Sequence, residues 1–159
     1  MKPDVKPVPD GYHTAIPYLI VRGAAEAIEF YKKAFGATEQ FRMPDPSGRI
    51  MHAEIRIGDS VVMLSEENIG WGAKSPLTLN GTGASVFLYL PDVDTAFQQA
   101  VAAGGKAQMP PADMFWGDRF GKLVDPFGHE WSMATHIEDV PQEQMAERAA
   151  SAFAEQSKG

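Results

Sequence analysis

The sequence predicts an α+β fold built from two tandem βαβββ modules that form a curled mixed sheet. Two amphipathic helical segments, Ala24–Phe35 and Val93–Ala103, each follow an apolar, β-favouring run. The halves also match at one constant offset: 87 − 18 = 69 for Phe87 and Tyr18, and 105 − 36 = 69 for Gly105 and Gly36. A constant offset across a strand and a helix end indicates a duplicated module.

The first half supplies each element of one module. Thr14–Val21 is apolar, and Pro17 favours an edge strand because it cannot donate to a neighbouring strand. The helix Ala24–Phe35 has an apolar stripe and ends at Gly36, which tolerates the left-handed conformation of a helix stop. The remaining strands are predicted at Ala37–Met43, Arg49–Ile57 and Ser60–Ser65.

The second half repeats this order after a long irregular stretch, Glu66–Gly83. Ala84–Leu90 is a predicted strand, and Asp92 can cap the helix Val93–Ala103. Strands are then predicted at Lys106–Met109, Lys122–Val124 and Glu130–Thr135, with Pro110–Gly121 as a loop. We therefore expect one domain over residues 12–140, with module 1 at about 12–66 and module 2 at about 84–136.

The two ends lie outside this domain. Residues 1–11 are rich in proline and charge and indicate an N-terminal arm. Residues 141–159 indicate a helical tail with a thin apolar stripe of Met145, Ala149 and Phe153. The stripe is compatible with docking on the body, docking on a partner subunit, or a frayed appendage.

Composition excludes several classes. With no cysteine among 159 residues, disulfides and thiolate metal sites are excluded. A net charge of -7 and scattered basic residues argue against nucleic-acid binding. No segment reaches the ~20 apolar residues of a membrane span, and the start lacks a signal-peptide pattern, so we expect a cytoplasmic protein without a membrane partner.

His52, Glu54 and Arg56 form the first candidate site. They alternate with Ala53, Ile55 and Ile57, so the polar three share the face opposite the helices, which the curl makes concave. A histidine beside a carboxylate can act as a general base, and His52 and Glu54 are the candidate catalytic residues. The alternative is a polar network at the cavity rim or a subunit interface.

The second candidate site is the segment Phe115, Trp116, Gly117, Asp118, Arg119. Its aromatic rings and guanidinium suit one wall of a ligand pocket; the alternative is a self-contained loop in which Asp118 and Arg119 pair. Phe87 and Tyr89 line the cavity if Val86, Leu88 and Leu90 are core, and core packing is the competing account. The remaining histidines show no sign of a site role, and His129 is interpreted as an exposed turn residue.

Three segments resemble the PhnB-like branch of the vicinal oxygen chelate superfamily, which includes glyoxalases, bleomycin-resistance proteins and dioxygenases. They are PYLIVRGAAEAIEFYKKAFGA (Pro17–Ala37), MHAEIRIGDSVVMLSE (Met51–Glu66) and FWGDRFGKLVDPFGHEWSMATH (Phe115–His136). The resemblance implies two βαβββ units curled around a ligand cavity, usually in a homodimer. It implies either a metal-dependent enzyme or a non-catalytic binding protein.

The resemblance also places the superfamily's metal ligands near Ile16, Met63, Ser85 and Ser132, which are not metal ligands of the required type. We therefore expect no metal and no other cofactor, with an atypical divalent metal site as the alternative, and count Met63 among the ligand-contacting residues. Three functions remain open. The first is binding of a small hydrophobic or aromatic molecule. The second is an isomerase, lyase or dioxygenase that uses His52 and Glu54 or an atypical divalent metal site, and the third is a regulatory or scaffold protein that uses the tail helix.

Overall fold

The computed structural model describes residues 4–159 and contains eight strands and four helices within that range. The strands are β1 Tyr18–Val21, β2 Thr38–Pro44, β3 Ile50–Ile57, β4 Ser60–Glu66, β5 Ser85–Tyr89, β6 Lys106–Asp113, β7 Asp118–Val124 and β8 Glu130–His136. The helices are α1 Ala24–Phe35, α2 Pro76–Leu79, α3 Val93–Ala103 and α4 Gln142–Gln156, and a 3-10 turn covers Ile69–Trp71.

The strands form two mixed sheets of the same topology. Their orders are β1-β4-β3-β2 and β5-β8-β7-β6. In each sheet the first strand pairs in parallel with the last, and the other pairs are antiparallel. Tyr18 lies opposite Met63 and Phe87 opposite Ser132, so the offset of 132 − 63 = 69 holds for the strand register as well. The predicted pair of βαβββ modules is confirmed.

Helices α1 and α3 each begin at the last strand of their own module. The Glu66 carboxylate accepts hydrogen bonds from the amides of Gly23 and Ala24 at 2.9 and 2.7 Å. At the equivalent place in module 2, the Thr135 hydroxyl accepts from the amide of Val93 at 2.8 Å. These acceptors satisfy amides that have no partner within the helix, so strand and helix are held at a fixed angle.

Strand β3, in the sheet of module 1, has one face in the core and one face on the opposite side of the sheet. Ala53, Ile55 and Ile57 are buried beneath α1, whereas His52 and Glu54 are half-buried on the other side. Strand alternation dictates this division. We call the sides of the two sheets that face away from α1 and α3 the open faces; they correspond to the predicted concave side.

Two regions differ from the sequence prediction. The prediction of a loop over Pro110–Gly121 is wrong, because β6 continues to Asp113 and β7 begins at Asp118. Pro110 and Pro111 are tolerated because β6 is an edge strand whose register shifts between Met109 and Ala112. The irregular stretch between the modules also contains the short helix α2, which Ser75 caps.

A buried carboxylate joins the two modules. Asp125, only 4% exposed, accepts hydrogen bonds from the Tyr31 hydroxyl of α1 at 2.7 Å and from the Trp131 indole of β8 at 2.9 Å. Its other oxygen accepts from the amides of Phe127 and His129, both at 2.9 Å. Burial raises the pKa of Tyr31 well above its ordinary value, so its hydroxyl remains a donor.

The Asp125 network yields a stability prediction. Asp125→Ala should lower the free energy of unfolding by at least about 3 kcal/mol, because each buried donor left without an acceptor costs about 1–3 kcal/mol. Tyr31→Phe should cost about 2 kcal/mol by removing one hydrogen bond to a charged group. Urea unfolding followed by circular dichroism measures both. Tyr89→Phe is the matched control, because this tyrosine also donates to an aspartate but is 64% exposed; equal losses for the two tyrosine variants would contradict the prediction.

Candidate functional site

The open face of module 1 is centred on His52. Its Nε2 lies 3.1 Å from a Glu54 carboxylate oxygen, and its Nδ1 lies 3.0 Å from the Tyr18 hydroxyl. One neutral tautomer satisfies both contacts: Nε2–H donates to the carboxylate and Nδ1 accepts from Tyr18. Met63 lies opposite both Tyr18 and Glu54 in the strand register, so it belongs to the same face.

Glu54 has a second donor from outside the sheet. The Tyr12 hydroxyl donates to the other Glu54 oxygen. Tyr12 precedes β1, and from here on the N-terminal arm means residues 4–13, two residues beyond the bound expected from the sequence. Burial opposes ionisation of Glu54, but the hydrogen bonds from Tyr12 and His52 outweigh it and lower the pKa of this carboxyl. Glu54 is therefore an ionised acceptor at neutral pH.

Arg56 lies two residues further along the same face. Its guanidinium donates to the backbone carbonyls of Asp59 at 3.1 Å and Gly11 at 3.3 Å. Among residues 4–159 it forms no ion pair with a carboxylate. Its positive charge is consequently not neutralised by a neighbouring side chain.

The open face of module 2 is centred on Asp118, which is 3% exposed. One carboxylate oxygen accepts from the Tyr89 hydroxyl and the Trp116 indole, both at 3.0 Å, and the other lies 2.8 Å from Nδ1 of His136. Burial alone would favour the protonated acid, yet these three donors lower the pKa of Asp118. Phe87 completes the face through ring contacts with Tyr89 and with Phe120, at centroid distances of 4.9 and 5.7 Å.

Arg119 lies on the opposite side of β7 from Asp118. It donates two hydrogen bonds to Asp94 of α3, at 2.6 and 2.9 Å, and one to Asp113 at 3.0 Å. Asp94 and Asp113 raise the pKa of its guanidinium. Consecutive strand residues point to opposite faces, so the proposed pair of Asp118 and Arg119 does not form and Arg119 does not reach the open face.

Phe115 faces the tail helix. Its ring lies 6.4 Å from that of Phe153, and its carbonyl accepts from Arg148, which also binds Glu138. The tail helix therefore contacts the body at Phe115, while none of the residues Gln142–Gln156 is fully buried. Gly117 fixes the loop with φ 99°, and an added Cβ would overlap the Glu138 carbonyl oxygen.

The predicted site residues thus form two groups. His52, Glu54, Arg56 and Met63 share the open face of module 1; Phe87, Tyr89, Trp116 and Asp118 share that of module 2. Sequence reasoning missed Tyr12, Tyr18, Phe120 and His136. The offset of 69 places Tyr18 at the position of Phe87, and alternation along β7 and β8 places Phe120 and His136 beside Asp118, so a signal existed for these three.

Two cavities lie beside β5 where the modules meet, and neither is lined by His52, Glu54, Arg56 or Asp118. One, of about 430 Å³, is lined by His13, Ile16, Val61, Phe87 and Tyr89 among others. The other, of about 440 Å³, is lined by residues that include Tyr18, Lys74, Phe87 and His129.

The interpretation of His129 as an exposed turn residue is wrong. This histidine is half-buried, and its Nε2 lies 2.8 Å from the Ile20 carbonyl of module 1.

The positions that the superfamily uses for metal do not suit an ion. Ile16 and Met63 offer no oxygen or nitrogen donor, and the hydroxyls of Ser85 and Ser132 are weak neutral ligands. Within residues 4–159, no three His, Cys, Asp or Glu residues come close enough together to hold a metal. The donor set therefore does not fit a glyoxalase-type metal centre.

None of the helices within residues 4–159 is long and apolar enough to cross a membrane.

Fold and site define a member of a known superfamily. Residues 12–133 match the Glyoxalase/Bleomycin resistance protein/Dioxygenase superfamily, and the chain belongs to it. An uncharacterized protein of Mycobacterium bovis is 42% identical over 127 residues, covering 78% of this chain and 84% of that protein. The crystal structure of protein PA1353 from Pseudomonas aeruginosa has a TM-score of 0.65 and 27% identity, covering 79% of this chain and 99% of that one. The PhnB protein from Bacillus cereus shares the fold, with a TM-score of 0.60 at 20% identity over 77% of this chain and 99% of that one.

The contacts of His136 with the carboxylates of Asp118 and Asp139 predict that the stability of the fold depends on pH. Hydrogen bonds to Asp139 and Asp118 raise the pKa of His136 above its ordinary value of about 6.5. Because the folded-state pKa is raised, the stabilisation is complete below the unfolded pKa and is lost as pH rises through the folded pKa. The difference in unfolding free energy between the wild type and His136→Gln should therefore shrink as pH rises from about 5.5.

Nuclear magnetic resonance titration of the His136 ring provides the direct measurement. Its midpoint should lie above about 6.5 and should fall in Asp139→Asn, which removes one of the two acceptors. A midpoint at or below the ordinary value, or a stability difference that grows with pH, would contradict the assignment of this hydrogen-bond network.

Proposed function

We propose that this protein binds a small hydrophobic or aromatic molecule on its open faces, at the cavities between the modules, without a bound metal. The observation that carries the proposal is the set of aromatic side chains left exposed there: Tyr18 is 47%, Phe87 45% and Tyr89 64% exposed. Removing apolar surface from water contributes roughly 25 cal/mol per Å². An aromatic ligand would gain this contribution from rings that the fold itself leaves uncovered.

The carboxylates of Asp118 and Glu54 are better suited to orienting a ligand than to binding a charged group strongly. Asp118 already has three donors, and Glu54 has two. A few fixed polar groups within an aromatic lining are typical of small-molecule pockets. The superfamily's name joins resistance proteins with dioxygenases, so membership is compatible with binding without turnover.

The same proposal includes a homodimer in the cytoplasm. It rests on the resemblance to the superfamily, in which paired subunits usually enclose the cavity. The exposed Tyr18 and Phe87 would lie near a partner in such an arrangement. Size-exclusion chromatography with light scattering tests it: a mass near twice 17.3 kDa supports the dimer, and a mass of 17.3 kDa rejects it.

A fluorescent probe tests the binding surface. The protein should bind 1-anilinonaphthalene-8-sulfonate with enhanced fluorescence, and Phe87→Ser should weaken that binding about tenfold, since a buried aromatic contact contributes on the order of 1.5 kcal/mol. Phe153→Ser is the matched control, because Phe153 is a more exposed phenylalanine (62%) on the tail helix, away from both cavities. Equal weakening by both substitutions, or by neither, would count against the open faces as the site.

An enzyme of the same fold is the second candidate, favoured by the continuous contact from Tyr18 through His52 to Glu54. A carboxylate that orients a histidine is the usual support for a general base. The expected chemistry is isomerisation, epimerisation or bond cleavage beside a carbonyl. In this case His52→Ala would abolish turnover and leave the fold intact.

Metal content tests whether the protein is a metal-dependent enzyme. In protein purified without chelators or a metal affinity step, we expect elemental analysis to show no near-stoichiometric divalent metal. We also expect no rise in the melting temperature with Zn, Ni, Fe or Mn, because the donor set described above does not fit an ion. A stoichiometric metal or a clear upward shift would favour the enzyme and an atypical metal site.

A further inference from the structure

The N-terminal arm lies across the open face of module 1. Residues 4–11 are exposed, and Tyr12, which follows a turn closed by its amide to the Pro9 carbonyl at 3.1 Å, is half-buried. Its hydroxyl donates to Glu54, and the Gly11 carbonyl accepts from Arg56 at 3.3 Å. The arm therefore reaches the body through two residues on the open face of module 1, next to the cavity of about 430 Å³ that His13 and Ile57 line.

Few other polar contacts hold this segment. The ion pair between Lys6 and Asp10 lies within the arm, and both side chains are exposed. Within residues 4–159, the side-chain hydrogen bonds that join residues 4–13 to the rest of the chain end on Glu54 and Arg56. An exposed segment held by so few contacts opens at a small free-energy cost.

Tyr12 and Gly11 thus present two chemical groups to the site. Glu54 receives an aromatic hydroxyl, and Arg56 receives a carbonyl oxygen. The two side chains project from β3 positions two residues apart, a separation of about 6.6 Å at 3.3 Å per residue. Arg56 has no carboxylate partner among the described residues, so an acidic acceptor would be bound more strongly than a carbonyl.

We propose that the arm is a displaceable internal ligand, and that the natural ligand of this site is an aromatic molecule with a hydroxyl and, about one ring length away, a carboxylate or carbonyl. The ligand's hydroxyl replaces that of Tyr12 on Glu54, and its acceptor replaces the Gly11 carbonyl on Arg56. The inference rests on the proposed binding function and specifies its ligand class. The arm competes with the ligand as a tethered group at a high effective concentration.

The probe is 4-hydroxybenzoate, with benzoate as the matched compound that lacks the hydroxyl. Isothermal titration calorimetry should show 4-hydroxybenzoate binding at least about tenfold more tightly than benzoate, since a hydrogen bond to a charged group contributes on the order of 1.5 kcal/mol. Tyr12→Phe should tighten 4-hydroxybenzoate binding by about the same factor, because it removes the competing hydroxyl. Val5→Ala, a change in the same arm at a side chain that is 62% exposed and uncharged, should leave the affinity unchanged.

Hydrogen–deuterium exchange provides an independent readout. Amide exchange in residues 4–13 should accelerate when 4-hydroxybenzoate binds, as the arm leaves the face. Tighter binding by Tyr12→Phe together with this acceleration supports the proposal. Equal binding of the two compounds, or equal affinity of the wild type and Tyr12→Phe, overturns it.

The fluorescent probe distinguishes this failure from a failure of the proposed function. If 4-hydroxybenzoate binds to neither protein while 1-anilinonaphthalene-8-sulfonate still binds in a Phe87-dependent manner, the ligand class is wrong and the binding function stands. If neither compound binds, both proposals fall.

Discussion

The arrangement of the two modules depends on one buried carboxylate. Asp125 accepts from Tyr31 of module 1 and from Trp131 of module 2 while its second oxygen organises its own turn. A buried charge is tolerated only when its hydrogen-bonding capacity is satisfied, so this turn requires both modules to be in place. The same turn carries His129, whose ring contacts the Ile20 carbonyl of β1. His129 in turn lines the cavity of about 440 Å³, so the Asp125 turn forms part of that cavity's wall.

Duplication of the fold did not duplicate the site. Each open face holds a carboxylate beside a tyrosine and a histidine, but Glu54 lies in the middle of β3 and Asp118 begins β7. The position equivalent to Glu54 in module 2 is Lys122, because Glu54 faces Met63, Lys122 faces Ser132, and 132 − 63 = 69. Asp118 obtains its donors from its own module, whereas Glu54 takes one from the arm. The carboxylate of module 2 thus has all its donors within its own module, whereas the carboxylate of module 1 takes one of its two donors from the segment that precedes β1.

The sequence predicted those parts of the structure that periodicity determines. The helix Ala24–Phe35 and the two faces of β3 follow from repeating apolar positions, and the constant offset predicted the second module. The extent of β6 did not follow, because Pro110 and Pro111 indicate a loop unless the strand is known to be an edge with a register shift. Tyr12 could not be placed on Glu54 from the sequence, since a contact across 42 positions from an irregular arm leaves no periodic signal.

The geometry of His52 also constrains how catalysis would proceed. In the tautomer that donates Nε2–H to Glu54, the lone pair on Nδ1 accepts from the Tyr18 hydroxyl. A substrate could not reach the histidine directly without displacing that hydroxyl, so a proton would pass through Tyr18, which is 47% exposed and lines the cavity of about 440 Å³. Binding requires no such relay: the same tyrosine then serves as an aromatic wall whose orientation His52 fixes. Because binding leaves the contacts of His52 with Glu54 and Tyr18 in their observed state, it is the simpler account of this histidine.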